Sequence, residues 1–169
     1  MKEHIAGSSE VRWFFEGALP QSCLDWFFSN GLIGEAVTDT TELCEGLRVD
    51  DYLLLQDCQT VGVKVRGADK FEVKAIIATS SPLEAHGASY VMQRWVKWTC
   101  DNDALRVAFG GNKNPAMWFS LKKWRYLRKF VMSENTYVEV LAATGPLPQN
   151  GCNIELTRLE TVDGRNYFT

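Results

Sequence analysis

Residues 61–74 read VGVKVRGADKFEVK, two apolar runs on either side of a glycine turn, each with charged residues at alternate positions. A period of two is the period of a pleated strand, so valines and Phe71 mark one face, and Lys64, Arg66, Glu72 and Lys74 mark the other. The segment predicts an antiparallel hairpin. Its charged face either meets water, as in most half-exposed hairpins, or points into an enclosed polar cavity.

The same pattern returns along the chain. Glu10 and Arg12 share a face of a strand expected over EVRWFFEG, residues 10–17. Lys123 and Arg125 do so in the basic stretch 117–132, and Glu139 and Glu155 stand on the two strands that follow. A solvated face usually mixes in Ser, Thr, Gln and Asn, whereas these positions are almost wholly ionic, and the opposite faces are rich in Val, Phe and Trp. Charge removed from water needs a counter-charge or a ligand. The pattern predicts a mainly β protein with minor helix, an antiparallel barrel closed so that it has no edges, with a charged interior.

Other elements follow from local chemistry. Pro20 opens PQSCLDWFFSNG, a short helix stopped at Asn30-Gly31, whose Trp26, Phe27 and Phe28 are expected to cover a barrel end. Strands are expected over 48–57, 89–101, 105–109, 137–142 and 152–160, and the Asp163-Gly164 turn leads into a short last strand. The stretch MWFSLKKWRYLRKFVM admits both periods. Trp124, Tyr126, Phe130 and Met132 keep a period of two interrupted by Arg128, while Leu121, Trp124, Leu127, Arg128 and Val131 trace a helical stripe. Its strand neighbours favour a strand.

A length of 169 residues with 46% hydrophobic content suits one domain with a sizeable core, and no linker or repeat divides the chain. Eighteen Lys plus Arg against 21 Asp plus Glu give a formal charge of −3, which disfavours nucleic acid and anionic membrane as partners and makes any anion site local. The N-terminal residues lack an apolar signal core and no apolar run is long enough to span a bilayer, so a cytoplasmic location is expected. Five widely spaced cysteines and two histidines supply neither a disulfide framework nor a zinc site. Trp95, Trp98, Trp118, Trp124 and Tyr126 interleave with Lys and Arg, but the period sets most of these rings opposite the charges, as core rather than as a base-stacking platform.

The order of motifs resembles that of the CYTH domains, or triphosphate tunnel metalloenzymes: a Glu-led first strand, then RVDDYLLL, GVKVRG, FEVKA, KKWRYLRKF, YVEVLA and CNIELTRLE, from about residue 10 to residue 160. The resemblance implies a tunnel of about eight antiparallel strands and a phosphorylated ligand, a triphosphate-containing compound or polyphosphate. By that resemblance Arg12, Lys64, Arg66, Lys74, Lys123 and Arg125 grip phosphate oxygens, and Glu10, Glu72, Glu139 and Glu155 hold magnesium or manganese. The chain departs from the family's ExExK first strand. Arg12 stands where a metal carboxylate is expected and Phe14 where a lysine is, so binding is expected to outlast metal-dependent triphosphate hydrolysis.

Overall fold

The computed structural model of the chain describes residues 3–28, 44–67, 70–85, 87–100, 114, 116–134, 136–140 and 150–169. These form two compact units, one of Met1–Trp13 with Val49–Lys122 and one of Phe14–Arg48 with Lys123–Thr169.

The first unit contains β1 (Glu3–Glu10), the end of β3 (Cys44–Leu53), β4 (Val61–Arg66), β5 (Lys70–Thr79), the small ladder of β6 (Leu83–Ala85) with β7 (Ala88–Tyr90), and β8 (Gln93–Cys100). Its strands lie in the order β1-β8-β5-β4-β3, each pairing antiparallel with its neighbour. The expected hairpin is β4 and β5, in register from Val61 opposite Ala75 to Arg66 opposite Lys70. Val65 (2% exposed), Phe71 (6%) and Cys100 bury one face, and Phe71 meets Trp98 edge-on at 6.1 Å. A bulge between Ile76 and Ala78 ends the regular alternation and leaves Ile77 exposed.

The second unit contains β2 (Phe15–Glu16), α1 (Gln21–Phe28), most of β9 (Trp118–Ser133), β10 (Thr136–Val140), β11 (Gly151–Thr161) and β12 (Asn166–Phe168). Its order is β9-β11-β12-β2, with β10 paired to β9. The 117–132 stretch is thus strand. The Asp163-Gly164 turn forms as expected: Gly164 takes a φ of 81° that favours glycine, and Thr161 and Arg165 close the turn with an N–H···O bond of 3.0 Å. Leu19, Phe27 and Leu156 form the core, with Leu24, Phe28 and Tyr126 packed against it. Trp26, expected to cover with its neighbours, is half exposed.

Two expectations change. Neither unit's strand order closes on itself among the described residues, so no closed barrel is formed by the ladders. The strand expected over residues 10–17 is split: Glu10 ends β1, Arg12 lies beyond it, only Phe15–Glu16 of the aromatic run forms strand as β2, and Trp13 and Phe14 are exposed between them. The strand expected at 105–109, His86 and the Asn30-Gly31 stop lie outside the described residues. No helix among the described residues is long and apolar enough to cross a membrane.

Arg128, the residue that broke the strand period, is the buried tie of the second unit. Its side chain is 2% exposed; its guanidinium donates from Nε to Glu139 at 2.6 Å, pairs again with the second carboxylate oxygen, and reaches the Phe27 carbonyl at the end of α1 at 2.7 Å. Arg128→Ala leaves the Glu139 carboxylate buried without this partner, and a cost of about 3–5 kcal/mol in denaturant unfolding is expected. Arg128→Met with Glu139→Met should recover much of that loss, since an apolar pair leaves no charge behind.

Candidate functional site

The hairpin register puts Lys64 opposite Glu72, Gly62 opposite Lys74, and Asp50 of β3 opposite Arg66. Across β5, Lys74 stands opposite Lys97 of β8, and Trp95 stands opposite Ser8 of β1. Directly paired residues share a face, so these side chains lie together on the side opposite Val65 and Phe71. The sequence expectation that Lys64, Arg66, Glu72 and Lys74 share one face holds, and Glu10 joins them.

Two ionic centres occupy this face. In the first, Asp50 (0% exposed) and Glu72 (4%) share one cation: Lys64 Nζ lies 2.9 Å from Asp50 and 3.1 Å from Glu72. Arg66, 31% exposed, approaches Glu72 at 3.5 Å. Burial pushes the Glu72 carboxyl up, but the charge and hydrogen bond of Lys64 and the charges of Lys97 and Arg66 outweigh it and hold it below the ordinary value.

In the second centre, Lys74 Nζ donates to both Glu10 oxygens at 2.6 and 2.7 Å, Ser8 Oγ donates to one of them at 2.6 Å, and Arg12 pairs with the other. The Trp95 ring lies beneath both cations, 4.6 Å from Lys74 Nζ and 5.5 Å from the Arg12 guanidinium carbon. Burial raises the Glu10 carboxyl, and Lys74, Ser8 and Arg12 together bring it below its usual value. Lys74 is itself pushed down, first by burial and then by Arg12 and Lys97, against the pull of Glu10.

Among the described residues of this unit the face carries six cations (Arg12, Lys64, Arg66, Lys70, Lys74, Lys97) and three acids (Glu10, Asp50, Glu72), an excess of three positive charges. Sequence reasoning missed Asp50, Lys97 and Ser8. Asp50 and Lys97 carried a signal, since each continues the period of two in its own strand. The rings were misread in part: Trp98 faces the apolar side, but Trp95 lies among the charges.

The remaining expected site residues belong to the second unit. Arg125 pairs with Glu155 at 2.7 Å, and Thr157 Oγ1 donates to Glu155 at 2.7 Å. Burial raises the Glu155 carboxyl, and Arg125, Thr157 and the charge of Lys123 bring it below its ordinary value. Glu139 does not join this group. It stands opposite Phe130 and is closed by Arg128, three positions and therefore one strand face away from Arg125.

A divalent ion needs several convergent oxygens. Glu10, Glu72, Glu139 and Glu155, the expected metal ligands, each turn instead to a cation of the chain, and no group of three or more His, Cys, Asp or Glu converges on a metal position among the described residues. An ammonium sits between Asp50 and Glu72 where a metal would have to bridge them. Among the described residues, the side chains as they stand form no oxygen cage for magnesium or manganese.

A carboxyl held low in the folded state adds stability above its unfolded value and loses it as the pH falls toward its folded one. The Glu72 contribution is therefore fully present near neutrality and is lost progressively below about pH 4.5, the ordinary glutamate value. Glu72→Gln should lower neutral-pH stability by about 1–3 kcal/mol and flatten the acid limb of a stability–pH curve relative to the natural chain. Equal slopes in urea titrations from pH 3 to 7 would exclude this role for Glu72. Compared with family models, curated proteins and solved structures, the chain finds no match in any of the three.

Proposed function

We propose that the ionic face of the first unit binds a phosphorylated ligand carrying several negative charges, a triphosphate-containing compound or polyphosphate, and that metal-dependent hydrolysis of it is weak or absent. One observation carries the reading: six cations gathered against three acids on a single sheet face of the described residues, in a chain whose formal charge is −3. Such a local surplus is met most economically by a polyanion, and guanidinium and ammonium groups together suit phosphate oxygens. Arg66 and Lys64 keep partial exposure, so a ligand can reach them from solvent. The resemblance to the CYTH domains points to the same ligand class.

The pairing of every expected metal carboxylate with a lysine or arginine supports binding over phosphoryl transfer, which relies on carboxylate-held metal beside the scissile phosphate. Lys123 and Arg125 are the weaker part of the expected phosphate grip, because Glu155 already takes up the charge of Arg125.

Calorimetry at low salt should show tripolyphosphate binding, and Arg66→Ala should weaken it by about 1.5–3 kcal/mol, the worth of a hydrogen bond to a charged group. Equal binding by the variant removes Arg66 from the site, and no binding by either protein sinks the reading. Phosphate release from tripolyphosphate with magnesium or manganese should stay well below about 1 per second, the low end of ordinary turnover.

A further inference from the structure

Glu10 is coordinated as a bound anion would be. Its two oxygens take Lys74 twice, Ser8 once and Arg12 once, at the end of a strand that pairs only with β8 among the described residues. Beside it the buried indole N–H of Trp95 has no hydrogen-bond partner, and Arg12 and Lys97 both add positive charge next to Lys74. Beside it the face is open. Gly62 stands directly opposite Lys74, is exposed, and a Cβ built there meets nothing within 4 Å. Its φ is not among the positive ones, so no backbone constraint requires glycine.

We propose that Ser8, Arg12 and Lys74 form an oxyanion subsite for the terminal phosphate of a polyphosphate, which Glu10 fills as an internal stand-in and vacates when the ligand enters over Gly62. The inference rests on the polyphosphate reading of this face and deepens it. A carboxylate presents two oxygens and one charge, whereas a terminal phosphate presents three oxygens and close to two charges, so it satisfies the same donors more fully. Exchange, not filling, is the binding step. The released Glu10 carboxylate goes to solvent, which its partial exposure allows. A ligand with further phosphates extends across the open Gly62 position toward Lys64, its neighbour on the same face of β4.

The test is tripolyphosphate titration by calorimetry at low salt with four proteins: the natural chain, Glu10→Gln, Gly62→Val and Glu84→Gln. Glutamine keeps the shape of Glu10 without its charge, so the first variant should bind about tenfold more tightly, the equivalent of one competing charge-assisted hydrogen bond removed. Glu84, exposed on β6, controls for the general effect of losing one negative charge, and its variant should bind as the natural chain does. Valine suits a strand and fills the open position without touching a charge, so Gly62→Val should weaken binding about tenfold or more by excluding the ligand.

If the natural chain binds and Glu10→Gln binds equally or more weakly, the stand-in role is overturned while the polyphosphate reading survives. Equal tightening by Glu10→Gln and Glu84→Gln also overturns it, as does unchanged binding by Gly62→Val. Binding by Glu10→Gln alone supports the subsite and shows that the unaltered chain is closed to the ligand. No binding by any of the four ends both ideas.

Discussion

A carboxylate drawn out of water on a β-sheet has to be met by a cation, and that requirement orders the first unit. Asp50 on β3 and Glu72 on β5 are almost wholly buried on the two strands that flank β4, and Lys64 of β4 between them reaches both. A slip of one residue in either ladder would send Lys64 to the side of Val65 and Phe71 and leave two buried charges without this partner. The ion pairs therefore fix register as firmly as the apolar face does. What they contribute to net stability is smaller, because desolvation cancels much of the attraction.

The same requirement shapes what the face can do. Its acids are all engaged, so an incoming anion competes with contacts already made, and only the difference between old and new partners appears as affinity. Under the proposed binding of a polyphosphate, that competition would favour a highly charged ligand, since a monoanion offers these cations little that Glu10 and Glu72 do not already supply.

Much of the β content was legible because a period of two survives in short strands whatever they pack against. The β4–β5 hairpin, β9 through its ambiguous stretch, β11 and the Asp163-Gly164 turn all lie where their residues placed them. Three things were not legible, for distinct physical reasons. Closure depends on which distant strands pair, and alternation within a strand does not encode its neighbours. The start of the first strand was displaced because Trp13 and Phe14 have strand propensity yet stand exposed between β1 and β2. The Arg128 partner of Glu139 was not legible because a strand glutamate has the same pattern whatever faces it, and Arg128 looked only like an interruption. Asp50 and Lys97 were visible in the pattern but became meaningful only once register set them beside Lys64 and Lys74.

Arg128 bonds Glu139 twice across 11 residues and the Phe27 carbonyl once across 101. The short-range partner, Glu139, arrives with the β9–β10 turn, and closing that loop costs far less chain entropy than bringing α1 to the same guanidinium. Order of assembly follows from this disparity. The ion pair can be in place before the helix docks, and the Phe27 carbonyl then accepts from a guanidinium that is already held. In reverse, α1 can lift away with the pair intact, so within this unit the helix has a lower-cost route to opening than the hairpin that holds it.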